Sequence, residues 1–407
     1  MSHRFDAVIV GAGPAGSTAA ILLARAGWSV ALVERQRFPR RKVCGECIAA
    51  ANLDLLDELG IGPAFSAAAG PELRRVALLR EDSAVVAELP PADGAHRWGR
   101  ALGRETLDTL LLEQARTCGA TVLQPWAVRA IDGGAGAWRV ELRAIDDATS
   151  MTLEATVAIA AHGSWEALPS ARPTRRLHRS PGDLFAFKAN FRDVDLAEGL
   201  LPVLAFDGGY GGMVVADGGL ATVACCVRRD RLEAWRGTAS GERAGDVVEA
   251  VLRRDCGGVR DALRRARRDG AWLAAGPLDP GVRLRADDAL LRIGNAAGEA
   301  HPIIGEGISM ALQSAALLCA RLLEAGCVGA APDAAAQRGI AARHATEWRQ
   351  RFGPRLRLAA TFAHAAMHPA SAALLMQLAR RWPGLLTQGA RWGGKTRGVA
   401  PAALSLR

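Results

Sequence analysis

The run Gly11-Ala12-Gly13-Pro14-Ala15-Gly16 stands between a short apolar segment, Asp6–Val10, and a helical stretch, Ser17–Ala26. Gly11 allows a tight turn, Gly13 lets backbone approach a pyrophosphate, and Gly16 lets a helix pack closely on a strand. The start of that helix, with Pro14 and Ala15 in its first turn, presents free N–H groups to an anion. Gly27 is placed to cap the helix, and a second apolar strand, Trp28–Val33, ends in Glu34, an acceptor for ribose hydroxyls. A lone G-x-G-x-x-G is a weak signal. Strand, glycines, helix, strand and acid in this order read as one βαβ dinucleotide-binding unit.

Three further clusters carry chemistry. Cys44-Gly45-Glu46-Cys47 has redox-motif spacing, which leaves open a reactive Cys44, a Cys44–Cys47 disulfide or simple packing. A strand, Leu290–Ile293, runs into Gly294-Asn295, and His301-Pro302-Ile303-Ile304-Gly305-Glu306-Gly307-Ile308 then opens a helix from Ser309 to about Glu324. Gly305 and Gly307 let backbone lie flat against a ring, and the helix points its positive end there. The single tyrosine, Tyr210, sits in a glycine-rich strand, Gly208–Gly212. His162, His178, His301, His344, His364 and His368 lack convergent spacing with acids or thiols, so no metal site is expected.

The segment Arg35–Glu46, which reads Arg41-Lys42-Val43-Cys44-Gly45-Glu46 at its end, resembles the FAD-dependent oxidoreductases grouped around p-hydroxybenzoate hydroxylase. Within them it is most similar to the geranylgeranyl reductase-like branch, which carries a Lys-x-Cys-Gly element here. The resemblance implies FAD as cofactor and extends its contacts to Arg35, Cys44, Gly45, Val128, Glu306 and Ile308. It also implies that Arg104 reaches the flavin pyrophosphate and that Asn295, where relatives carry Asp, meets the ribitol. His162 stands where relatives carry Asp, so a role borrowed from that Asp does not transfer. His301 is the candidate ionisable group near the flavin C4a–N5 edge, with Cys44 and Tyr210 as the other catalytic candidates. Prenyl reductases carry Gly-Tyr-x-Trp-x-Phe-Pro near Tyr210, but Gly212 and Val214-Val215 occupy the Trp and Phe-Pro places. The halogenase element Trp-x-Trp-x-Ile-Pro is likewise missing.

These residues need elements to position them. The expected class is α/β with an α+β insertion: a Rossmann-like FAD-binding domain, an inserted antiparallel-sheet substrate domain and a C-terminal helical segment. The first takes residues 1–72, 101–173 and 278–330, the second 73–100 and 174–277, and the third 331–407. The inserted sheet starts with a hairpin, Arg75–Leu79 with Ala84–Leu89, and continues through alternating runs at 184–191, 201–206, 212–215 and 221–227. Helices are expected at 242–254 and 259–268, and in the tail at 333–350, 356–368 and 372–381. The tail reads as a cap, a lid for a lipid-like substrate or a peripheral membrane contact helped by Arg380, Arg381, Arg391, Lys395 and Arg397.

Composition sets the outer limits. The chain has 407 residues, half of them apolar and 23% charged, which excludes a disordered or fibrous protein. Eight scattered cysteines do not form a disulfide framework, and no signal segment or long uninterrupted apolar run is evident, so a cytoplasmic location is expected. The densest basic stretch, Arg260–Arg268, contains Asp261 and lacks interleaved aromatics, so no nucleic-acid partner is expected. The resemblance implies a monooxygenase that hydroxylates or epoxidises a bulky aromatic, polyketide or lipid-like small molecule, free or carrier-bound, through a flavin C4a-hydroperoxide. A C=C reductase and a non-catalytic flavin-binding protein are the alternatives. NADH, NADPH or a separate flavin reductase would supply electrons, since only one dinucleotide fingerprint is present.

Overall fold

The computed structural model describes residues 3–147, 149–164, 168, 179–238, 241–285, 289–326 and 329–395; His178 and Arg397 lie outside them. The opening strand His3–Val10 pairs in parallel with Val30–Val33 on one side and with Ser150–Ala160 on the other. Thr121–Leu123 extends the sheet beyond Val30–Val33, and Leu291–Arg292 pairs with the C-terminal half of Ser150–Ala160. The N-terminal half of that long strand pairs antiparallel with Ala137–Ala144, which returns as a hairpin with Trp126–Gly134. The register aligns Val10 with Val33 and Ala160, and Ala160 with Arg292. The turns that follow, at Gly11, Glu34, Ala161 and Gly294, therefore emerge at one carboxyl edge, where open parallel sheets bind ligands.

Helices Pro14–Arg25, Arg104–Thr117 and Gly307–Ala325 cover this sheet through a core that includes Ile9, Leu32, Leu107, Leu111, Ile159, Leu312 and Leu318. The opening helix is followed by Gly27 at φ +85°, the left-handed cap expected there. Gly307–Ala325 is long and apolar enough to cross a membrane, yet it is a buried core helix whose Gln313 donates to Asn52 at 2.7 Å.

The second sheet runs in the order Arg267–Ala275, Leu184–Arg192, Ala221–Arg228, Gly209–Val215, Leu200–Phe206, Arg75–Arg80, Ser83–Glu88. Its pairs are antiparallel except Leu200–Phe206 with Arg75–Arg80. One face packs Phe187, Phe191 and Leu204 against Val248, Leu252 and Val259 of the helices at 244–262. The other face, with Ala186, Ala205, Tyr210 and Cys226, looks toward the tail. Alternation along the strand thus puts Cys225 in one core and Cys226 in the other.

The structure corrects three boundaries. The helix expected over 259–268 stops at Ala262, and Arg267–Ala275 is a strand, because its backbone completes the ladder with Leu184–Arg192. The two helices expected at 333–350 and 356–368 are one, Ala334–Met367, with Pro354 inside it; Phe352, Arg355, Leu356 and Ala359 around the proline are buried, so packing overrides the local break. The helix expected from Ser309 begins at Gly307, where Met310 N–H donates to the Glu306 carbonyl at 2.8 Å.

A Cβ on Gly16 would lie 1.8 Å from the Gly11 carbonyl oxygen, so the helix seats on the strand only without a side chain. Gly16→Val should cost at least about 1–3 kcal/mol, read as a lowered melting temperature; an unchanged one would show that the turn can rearrange.

Candidate functional site

A cavity of about 460 Å³ lies between the carboxyl edge of the first sheet and the inner face of the second. Gly11, Gly13, Pro14, Ala15, Glu34, Arg40 and Arg104 line one end. Gly11 sits at φ +103°, where a Cβ would meet the Ala161 carbonyl at 2.5 Å, whereas a Cβ on Gly13 would have only the Arg104 guanidinium nearby, at 3.6 Å. Gly11 and Gly16 thus shape the turn, and Gly13 is the glycine that faces the cavity. Gly16 itself does not line it.

Guanidinium and carboxylate alternate at this end. Glu34 accepts from Ala12 N–H and Gln36 N–H, both at 2.9 Å, and from Arg40 at 3.3 Å. Arg104 pairs with Asp108 through two bonds of 2.7 Å, and Arg40 stands 3.7 Å from the same carboxylate. Burial works against the Arg104 charge, but Asp108 outweighs it and raises the pKa above the ordinary arginine value. Arg40 Nε and Nη1 are buried without a partner. Unsatisfied buried guanidinium donors are costly, and they suit an anionic ligand with many acceptors.

The middle of the cavity is bounded by Lys42, Cys44, Gly45 and Glu46 on one side and by His162, Gly163, Ser164, Gly294 and Asn295 on the other. The Asn295 amide donates to Ser164 at 2.9 Å, Ser164 donates to Glu299 at 2.8 Å, and Arg283 donates to Glu299 at 2.9 Å. Cys44 and Cys47 are both free thiols, so the disulfide alternative does not hold here. Gly305, at φ +63°, and Gly307 and Ile308 line the next stretch of wall. Glu306 turns away from the cavity into a buried cluster, 3.3 Å from Lys395 and 3.7 Å from Arg355.

Tyr210 lines the cavity, and its hydroxyl lies 3.2 Å from His301 Nδ1. His301 stacks edge-on against His364 with ring centroids 5.5 Å apart, and His364 is exposed. Burial, reinforced by the neighbouring His364, pulls the His301 pKa down to about 4. Burial raises that of Tyr210 well above the phenol range. The phenol therefore stays protonated beside a neutral imidazole.

Some expected residues fall elsewhere. His301 is not on the cavity wall; it stands one residue behind it, neutral at physiological pH, because the loop buries its ring against the second sheet. Arg35 is exposed just past the turn after Val33. Val128 lies in the hairpin strand Trp126–Gly134, paired with Leu142 at the far side of the first sheet. Arg40 and Glu299 line the cavity and Asp108 stands behind Arg104, although local spacing assigned none of them there. Only Asp108, four residues after Arg104 on one helix, left a readable signal, and Lys395, expected as a tail cation for a membrane contact, instead lines the cavity beside Glu306. Away from the cavity, Asp54, Asp57 and His96 bring three potential ligand atoms together, with Asp57 and His96 at 2.7 Å.

A glycine cradle, orphaned arginine donors and a ribose-facing acid fit the pyrophosphate and adenosine of FAD, and a Rossmann-like sheet joined to an antiparallel one over such a cavity defines a flavin-binding fold. The chain belongs to the FAD binding domain family, whose profile matches residues 4–349. It is 26% identical over 356 residues to conditioned medium factor receptor 1 of Dictyostelium discoideum, covering 79% of this chain and 64% of that protein. A segment of 61 residues, 15% of each chain, is 48% identical to menaquinone reductase of Mycolicibacterium smegmatis. Digeranylgeranylglycerophospholipid reductase 2 of Methanopyrus kandleri is 26% identical over 359 residues, 86% of this chain and 83% of that one. The fold is similar to that of the myxobacterial chondrochloren halogenase CndH, with TM-score 0.75 and 18% identity over 99% of this chain and 95% of that one. It is also similar to a geranylgeranyl bacteriochlorophyll reductase-like protein from Thermoplasma acidophilum, with TM-score 0.64 and 17% identity over 99% and 95%.

Gly13→Val should abolish retention of FAD, read as loss of the flavin absorbance, with little change in fold, because its side chain enters the cavity and meets no backbone. Normal flavin content in that variant would displace the pyrophosphate from this turn. A second expectation concerns acid. Burial lowers the pKa of His301 and of His344 from 6.5 to about 4. The unfolded chain then binds protons between pH 6.5 and 4 that the folded chain refuses, so stability is full above pH 6.5 and falls toward pH 4. The loss is on the order of 3 kcal/mol per ring, read by denaturant titration, and His344→Gln should flatten the slope.

Proposed function

We propose that the protein is an FAD-dependent monooxygenase of a bulky aromatic, polyketide or lipid-like substrate. The observation that carries this is the second half of the cavity, where Val76, Leu78, Leu201, Val203, Leu375 and Leu378 form an apolar wall beyond the flavin-side residues. Gly211 and Gly212 of the same strand as Tyr210 also line it, and a Cβ on Gly212 would meet only the Pro202 carbonyl, at 3.0 Å. Missing side chains widen the space beside the only cavity phenol, which suits a large substrate.

FAD, when bound, supplies the two-electron and oxygen chemistry, after reduction by NADH, NADPH or a separate flavin reductase. The chain positions and protects. Arg40 and Arg104 would hold the pyrophosphate end, the Gly305–Ile308 loop would face the ring, and the apolar wall would keep water from the reacting atoms. Tyr210 holds a proton at its hydroxyl, and the neutral His301 behind it accepts or returns that proton, with exposed His364 as the outlet. In this reading His301 is a positioning and relay residue, and Tyr210 is the group that touches substrate. The cytoplasmic face of the cell, where reduced nicotinamides are available, is the proposed location.

A C=C reductase is the second reading, favoured by the alignment with the Methanopyrus kandleri reductase over most of both chains. The two separate in one experiment. The holoprotein is given NADH or NADPH with a long-chain alkylphenol and, in parallel, a polyprenylated quinone. The monooxygenase reading expects a product one oxygen heavier, carrying label from 18-O2; a product two hydrogens heavier, formed without air, overturns it. Tyr210→Phe should lower turnover by roughly 10²–10⁴-fold with FAD content unchanged, the range of a lost general acid or base. His301→Gln should alter the pH profile of turnover, whereas a merely structural histidine would leave that profile unmoved.

A further inference from the structure

The two last helices, Pro369–Arg381 and Gly384–Trp392, have an inner and an outer side of different chemistry. Leu375, Leu378, Leu386 and Ala390 line the cavity. On the outside, Leu374 and Trp382 are each 55% exposed and Trp392 65%, and Leu385, 46% exposed, reaches both this surface and the cavity. These four make up most of the exposed large apolar side chains among the described residues. A spacing of seven residues places Leu385 and Trp392 on one side of the second helix, and Trp382 is the first residue beyond the helix that carries Leu374. Gly384–Trp392 contains no buried residue at all.

The charge of the tail that carries this patch is one-sided. After Glu347 the chain has ten Lys or Arg and no Asp or Glu, so the whole of the +9 net charge comes from the tail. Arg380, Arg381 and Arg391 are exposed on the same two helices, with Arg381 stacked 5.6 Å from the Trp382 ring centroid. Tryptophan with arginine is the pairing that seats at the boundary between headgroups and acyl chains. A second copy of this chain is a poor occupant, since two such faces would bring like charges together.

We propose that the face formed by Leu374, Trp382, Leu385 and Trp392 docks on an anionic lipid bilayer, so that an apolar substrate passes from the lipid between these helices into the cavity. The route rests on the cavity being a site for an apolar substrate; the docking itself does not. Insertion of the two indoles and leucines supplies the apolar contact, and the arginines supply attraction to anionic headgroups that salt screens.

The test is flotation of the FAD-loaded protein with vesicles of phosphatidylcholine alone and of phosphatidylcholine with phosphatidylglycerol. The expected result is binding to the anionic vesicles, weakened by added salt. Trp382→Ser with Trp392→Ser should reduce it by about tenfold or more, and Arg381→Glu with Arg391→Glu should remove the preference for anionic lipid. Flavin absorbance in each variant reports that the fold is intact, since none of these four side chains lines the cavity. Failure to float with anionic vesicles, equal binding to both compositions, or unchanged binding in the tryptophan variant overturns the proposal; so does an acidic carrier protein that binds this face while vesicles do not. Turnover of a detergent-dispersed substrate is measured apart, so that failure of docking and failure of the oxygenase reading are told from one another.

Discussion

A single buried carboxylate, Glu46, ties the two sheets together. Its backbone is held at φ +60°, unusual for a residue with a side chain, and its side chain is 1% exposed. It accepts from the Arg104 backbone N–H at 2.9 Å, from the Lys188 ammonium and from the Thr222 hydroxyl. Arg104 opens a helix of the first sheet's layer, whereas Lys188 and Thr222 lie on paired strands of the second sheet. Burying both charges costs several kcal/mol each, so the arrangement holds because every partner is present. The backbone turn at Glu46 presents Cys44 and Gly45 to the cavity, and the Arg104 N–H bond sets where the pyrophosphate-side guanidinium begins.

Charge is distributed along the cavity with the same economy. At the nucleotide end each guanidinium leans on a carboxylate, Arg104 on Asp108 and Arg40 between Glu34 and Asp108, which fixes their direction while leaving donors for a ligand. The chain holds only three lysines, and all three are here: Lys42 and Lys395 on the cavity wall, Lys188 against Glu46. Burial works against the Lys395 ammonium, but Cys47 and Glu306 beside it raise its pKa, so it remains charged where the Gly305 loop meets the tail. Arginine is found both in the site and over the surface, whereas lysine is confined to the site.

Away from that end the walls become apolar and polar groups thin out to Tyr210 and the residues behind it. The cap is supplied by the tail, so the same helices that complete the cavity also form the basic, apolar outer face. Closure of the site and the character of the surface are consequently one structural property.

The βαβ unit was legible in the sequence because its constraints are local. Gly11 needs a positive φ, Gly16 needs the absence of a Cβ, and Glu34 ends a strand; each is decided within a few residues. The hairpin at 75–89 and the helix from Arg104 were legible for the same reason, through alternation and helical period. The strand at Arg267–Ala275 was not, because its conformation is set by a ladder with residues some eighty positions earlier in the chain, and the same holds for the continuity of the helix through Pro354, which buried neighbours enforce. The place of His301 behind Tyr210, the pairing of Glu46 with Lys188 and the approach of Lys395 to Gly305 depend on side chains that are distant in sequence meeting in a low-dielectric interior. Residue type and spacing determined which chemistry was available; burial and long-range pairing alone decided which groups stay charged, which stay neutral and which reach the cavity.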